Sequence, residues 1–139
     1  MRVLAVDPGI EKCGVAVCGP EGVVARRVID AGRLRDLARE WIKAYTVECA
    51  VVGDGTGSKH AFDILTTLDV PVRLVSERGS TLAARLRYFR DHPPRGWRRL
   101  LPMSLQVPPE PYDDYAAEVL GERYLGRFQA GLGEVPDRS

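Results

Sequence analysis

Val3, Leu4, Ala5 and Val6 form an unbroken apolar run that stops at Asp7, and this junction constrains the fold more than any other part of the chain. Such a run suits a central strand covered on both faces and sits badly at a solvated edge. Pro8 and Gly9 then enforce a turn, proline by fixing φ and removing a donor, glycine by accepting the geometry of a tight reversal. Apolar residues resume from Gly14 to Cys18, so the stretch reads as a β-hairpin with a carboxylate at its mouth. A charge where a buried strand emerges costs desolvation unless a cation or turn amides compensate it. Asp7 is thus either an ion ligand or the cap of its own turn.

The segments that follow alternate between the two periodicities. Gly19, Pro20, Glu21 and Gly22 make a short turn into a third strand over residues 23–29, which predicts an antiparallel three-stranded meander. Leu34, Leu37, Ala38, Trp41, Ile42 and Tyr45 recur at helical spacing with charged residues between them. Residues 49–52 form a brief apolar strand that enters the glycine-rich turn Gly53, Asp54, Gly55, Thr56, Gly57, Ser58 and then a helix over 59–68. A strand, a glycine turn and a helix can aim amides at a phosphate, but no P-loop lysine follows and the dinucleotide pattern is absent, so a plain strand-to-helix turn with Ser58 as N-cap is the preferred reading.

Residues 70–75 read as a fifth strand that tolerates Pro71 near its start and ends at Ser76 and Glu77. Ser80 or Thr81 caps a helix with Leu82, Ala83, Leu86 and Phe89 inward and its arginines outward. Residues 91–112 are long for a connector, rich in proline and basic residues, and carry Trp97 beside Arg95, Arg98 and Arg99. The last helix starts near Asp113, with Ala116, Ala117, Val119, Leu120, Tyr124, Leu125 and Phe128 on its inner face.

At 139 residues and 45% hydrophobic content there is material for one core, so a single domain is expected over 1–128, with a flexible tail over 129–139. No apolar run approaches the ~20 residues of a membrane span, which predicts a cytoplasmic protein with no membrane partner. Cys13, Cys18 and Cys49 are odd in number, lie in apolar segments and lack CxxC spacing, as expected of reduced core residues. The net charge of +1 conceals an uneven distribution: from Arg78 to Arg99 seven arginines face one acid, Asp91. That is the distribution of a surface for nucleic acid, although a solvated helix face would look the same.

The element order predicts an α/β fold, a five-stranded mixed sheet of three antiparallel and then two parallel strands with helices on both faces. Asp7 and Glu77 then leave strands at one rim, where the sites of open α/β sheets lie, and Asp113 with Asp114 opens the final helix. Carboxylates gathered on one rim repel one another, and hard divalent cations, Mg2+ or Mn2+, resolve that repulsion.

Three blocks of the sequence resemble the signatures of the YqgF/RuvX family in the RNase H-like nuclease superfamily, whose relatives include the RuvC Holliday junction resolvases. They are DPG-x-x-x-x-G-V-A-V from Asp7 to Val17, SERGST from Ser76 to Thr81, and DDYAAEVLGERYL from Asp113 to Leu125. The resemblance spans about Arg2 to Phe128 and implies an RNase H-like fold. It implies catalytic acids at Asp7, Glu77 and Asp113, with Asp114 and Glu110 as further metal ligands. It departs from the family at Glu11, where a basic residue is usual, at Ser76 in place of an aspartate, and at Gly53 to Ser58, which looks more like the G-N-G-T stretch of the Tex proteins.

The activity so implied is phosphodiester hydrolysis at a two-metal site, on structured RNA of the pre-16S rRNA processing type or, as a dimer, on branched DNA. Lys12, Arg78, Ser80, Thr81, Arg85, Arg95, Trp97, Arg98 and Arg99 are the candidate nucleic-acid contacts, in a monomer or homodimer. Two other classes fit the opening residues: a non-catalytic nucleic-acid binding module, and a phosphotransferase of the actin and sugar-kinase type, which needs a second such domain.

Overall fold

The apolar run at the start of the chain becomes the middle strand of a five-stranded sheet, and Val3, Leu4, Ala5 and Val6 are all fully buried. A computed structural model describes residues 1–94, 96–102 and 108–129, and of 98, 99 and 127–129 the backbone alone. Strands β1 (Val3–Asp7), β2 (Lys12–Gly19) and β3 (Gly22–Asp30) form the antiparallel meander, with Asp7 opposite Gly14 across the first pair. Strands β4 (Cys49–Gly53) and β5 (Val72–Val75) add in parallel on the other side of β1, giving the order β3-β2-β1-β4-β5.

Strand alternation divides the core in two. Leu4, Val6, Val15, Val17 and Val52 pack against helices α1 (Leu34–Ala44) and α2 (Ser58–Leu65). Val3, Ala5, Ala16, Cys18 and Val51 pack against α4 (Asp113–Gln129) through Ala117, Leu120, Tyr124 and Leu125. Helix α3 (Ser80–Asp91) leans on α4, with Ala84, Tyr88 and Phe89 against Tyr115 and Ala116. The mixed sheet with helices on both faces is the fold expected from the sequence, and the three cysteines are buried thiols in no disulfide. Among the described residues no helix is long and apolar enough to cross a membrane.

Three local expectations need correction. Ser58 is not a cap: Gly57, at φ 85°, holds the N-cap of α2, and no side chain caps that helix. Gly79, at φ 73°, likewise precedes α3 in place of Ser80 or Thr81, since each turn enters its helix through a left-handed residue that glycine adopts without strain. The inner face of α3 is also rotated. Leu82 and Leu86 are 48% and 47% exposed, because the helix presents Ala84 and Tyr88 to α4, and the arginines on it do not all point to solvent. Arg87 reaches Glu118 and Glu122, and Arg85 donates to the Tyr112 hydroxyl at 3.1 Å. The expectations for Arg95, for the inward side chain of Phe128 and for the tail from 130 onward fall outside the described residues, as do the side chains of Arg98 and Arg99.

Candidate active site

β1, β4 and β5 run in parallel, so their carboxyl ends share one rim of the sheet. Asp7 is the last residue of β1 and, by alternation with Val3 and Ala5, lies on the face covered by α4. Glu77 stands two residues beyond β5, and Asp113 begins α4. The Asp7 side chain hydrogen-bonds Glu77. Burial, that bond, and the charges of Glu77 and Asp113 push the Asp7 carboxyl up to about 8. Asp113 is raised as well, by burial and by the charge of Asp114, with Lys12 opposing the shift. The same acids reach the Cys13 thiol, which burial together with Asp7 and Asp113 pushes up to about 11.

The supports of these acids were not legible in the chain. A Cβ on Gly14 would overlap the backbone carbonyl of Asp113, so the bare backbone of β2 is the platform on which α4 begins. Gly53 and Gly55 leave space for Glu77: a Cβ on Gly53 would lie 2.7 Å from its Cγ and Cδ, and one on Gly55 would overlap its carboxylate. Arg26 on β3 ties down the start of α4. Its guanidinium lies 3.0 Å from Asp114 and 3.3 Å from Glu118, donates to the Tyr115 hydroxyl at 3.1 Å, and sits 3.9 Å above the Tyr115 ring. Asp114 is thereby held in an ion pair with Arg26. Glu110 accepts from the Tyr88 hydroxyl at 3.1 Å.

Of the expected nucleic-acid contacts, Arg78 and Thr81 are exposed beside Glu77, Lys12 is exposed at the hairpin and pairs with Asp30 at 3.3 Å, and Trp97 is 69% exposed. Ser80 is 3% exposed, which removes its hydroxyl from the surface.

Among the described residues no three His, Cys, Asp or Glu side chains close around one point as a ready metal cage. The donor set nevertheless suits a hard cation. Asp7 and Glu77 are in direct contact, Asp113 is within electrostatic reach of Asp7, and all three offer oxygen. Their mutual repulsion is what a divalent ion would relieve.

No family model matches the chain. It is 37% identical over 102 residues to proteins of Mycobacterium leprae, strains Br4923 and TN, named "Putative pre-16S rRNA nuclease", an alignment covering 60% of this chain and 55% of theirs. The chain therefore spans about half the length of the curated relatives it matches. Among solved structures it resembles Thermus thermophilus RuvC in complex with a Holliday junction substrate, with TM-score 0.64 and 15% identity over 96% of this chain and 99% of that one. A second Thermus thermophilus RuvC structure matches at TM-score 0.63 and 16% identity with the same coverage. The fold is thus the RNase H-like fold of RuvC, and the sequence likeness to the curated nucleases agrees with the YqgF/RuvX resemblance of the three acidic blocks.

Proposed function

We propose that this chain is a divalent-metal-dependent nuclease that hydrolyses phosphodiester bonds of structured nucleic acid, with structured RNA as substrate. The observation that carries this reading is the meeting of Asp7 with Glu77, 70 positions away in the sequence, within electrostatic reach of Asp113 at the head of α4. Three acids placed so that one carboxyl rises to about 8 are in an arrangement that folding alone would not favour. The name of the Mycobacterium leprae relatives supports the choice of ribosomal RNA precursor. Branched DNA is the alternative, since the RuvC structure that shares the fold holds a Holliday junction, but that likeness is of fold.

Asp7, Glu77 and Asp113 would hold Mg2+ or Mn2+. Such an ion, once bound, supplies a low-pKa water and neutralises charge on the leaving oxygen. The chain contributes the rest. Asp7, whose carboxyl is pushed up to about 8, would give up its proton where a cation is held. Arg78, next to Glu77 in the chain, and Lys12, at the start of β2, are exposed and would meet the phosphate backbone.

The test is a cleavage assay on single-stranded RNA, duplex RNA and a four-way DNA junction with Mn2+, alongside sedimentation to count subunits. Cleavage of structured RNA that Asp7→Asn abolishes supports the reading. Junction cleavage by a dimer would move the substrate to branched DNA, and cleavage by Asp7→Asn equal to wild type would refute the site.

A further inference from the structure

Glu77 is the one acid of the three that no regular element holds, since it lies in the turn at residues 76–79 between β5 and α3. Yet nearly every polar group around it is engaged. The Glu77 amide donates to Oδ1 of Asp54 at 3.1 Å, and the Gly55 amide donates to the Glu77 carboxylate. The Glu77 carbonyl accepts from Ser80 N at 2.9 Å, and Asp54 N donates to Val75 O at 3.0 Å, which laces the two turns together. From the other side Arg123 donates to the carbonyl of Arg78 at 2.7 Å and to that of Ser76 at 3.4 Å.

We infer that Asp54 is a positioning residue: its carboxylate, with the Gly55 amide, forms a socket that fixes Glu77 against Asp7. The Gly53-Asp54-Gly55 turn is on this view a seat for a protein carboxylate, which accounts for both glycines by the space Glu77 occupies. Asp54 adds a fourth acid to a rim already crowded with negative charge, so its presence has to be explained by something it accepts. The Glu77 amide is that donor, and an asparagine oxygen could replace it. The consequence for metal affinity rests on the nuclease reading, but the geometry of the socket does not.

The experiment compares wild type, Asp54→Ala, Asp54→Asn and Gly55→Ala in two readouts, amide hydrogen exchange by NMR without metal, and Mn2+ binding by electron paramagnetic resonance without nucleic acid. Asp54→Ala should speed exchange at Glu77 and Gly55 at least tenfold and weaken Mn2+ binding by about tenfold or more, and Asp54→Asn should restore both. Gly55 is not at positive φ, so Gly55→Ala introduces only the clash with Glu77 and should weaken Mn2+ binding to a similar degree. Unchanged Gly55 exchange in Asp54→Ala overturns the inference, as does failure of Asp54→Asn to rescue. If Asp54→Ala does not fold, wild-type Mn2+ affinity in Gly55→Ala overturns it instead. A wild type that binds no Mn2+ refutes the nuclease reading, and the exchange data then decide the socket alone.

Discussion

The guanidinium of Arg26 lies 3.0 Å from the carboxylate of Asp114, so two adjacent acids at the head of α4 are directed to different duties. Asp114 anchors the helix to β3, while Asp113 is left unpaired by Arg26 and interacts electrostatically with Asp7. Asp113→Asn is therefore expected to abolish cleavage with little change in the unfolding midpoint. Asp114→Asn should retain measurable turnover and lose about 1 kcal/mol of stability, since the pair is only partly shielded from solvent. Parallel urea titrations and Mn2+-dependent cleavage assays of the two variants check this, and the reverse pattern would exchange their roles.

Gly14 faces Asp7 across the hairpin and Asp113 across the gap to α4. A methyl group there has no free space, because backbone rather than a yielding side chain blocks it. Gly14→Ala must displace the head of α4, with a stability loss on the order of 1–3 kcal/mol from overpacking. Activity should fall at least a hundredfold, since a displacement of about 1 Å is enough to misplace a catalytic group. A folded Gly14→Ala protein with wild-type turnover would show that the position of Asp113 is unimportant.

The fold was legible where local pattern and tertiary burial agree. The run Val3 to Val6 announces a central strand, the short turns announce a meander, and the stripe Leu34, Leu37, Ala38, Trp41 announces α1. Phe89 is buried as expected, but the face of α3 was misread at Leu82 and Leu86, which outweigh Tyr88 on any hydropathy count, whereas α4 selects Ala84 for close approach and Tyr88 for its ring. The three acids were legible because each ends or begins an element. Their supports were not: Asp54, Gly14 and Arg26 act across 23 to 99 positions of sequence, on partners that only the assembled sheet brings near.

Glu118 is a buried acid whose signal in the sequence is hidden inside an apolar helix face. Its side chain is 5% exposed, with Arg26 at 3.3 Å from one oxygen and Arg87 at 2.9 Å from the other, the latter off the hydrogen-bond line. Removing the carboxylate takes one of two acidic partners from each of Arg26 and Arg87, which keep Asp114 and Glu122 respectively. Glu118→Ala is expected to cost about 1–3 kcal/mol, read from the urea midpoint. Glu118→Gln keeps one acceptor and should lose clearly less. Equal losses would mean that packing, and not charge, explains the position.

Trp97 at 69% exposure and Leu100 at 81% are, with Ile10 at 77%, the most exposed large apolar side chains among the described residues, and they flank Arg98 and Arg99 in the 3-10 turn Gly96–Leu100. Stacking on an unpaired base gives such a ring a partner. Trp97→Ala should weaken binding to single-stranded RNA by roughly 1–3 kcal/mol at any salt concentration. Arg98→Ala with Arg99→Ala should instead flatten the dependence of log K on log salt by up to about 2. Fluorescence anisotropy across a salt series separates the two effects, and an unchanged slope would assign the arginines to solvent.

The Asp7 carboxyl titrates near 8 in the folded chain against 3.8 for a free aspartate, and the sign of the consequence follows from proton linkage. Between those two values the folded state holds a proton that the unfolded state has released. Stability without metal must therefore fall as pH rises through that window, the opposite of the usual behaviour of a paired carboxylate. Asp7→Asn carries no such proton, so its melting temperature in chelator should fall less than that of wild type from pH 5 to pH 8, the remaining slope coming from Asp113, and exceed wild type at pH 8 by roughly 5 °C. Adding Mn2+ at pH 8 should raise the wild-type melting temperature and leave that of the variant unmoved, because the cation takes the place of the proton only where the acid is present. A wild-type melting curve in chelator that is indifferent to pH over this range would show that Asp7 is ionised in the folded protein, and that the acids at this rim do not press on one another as the geometry requires.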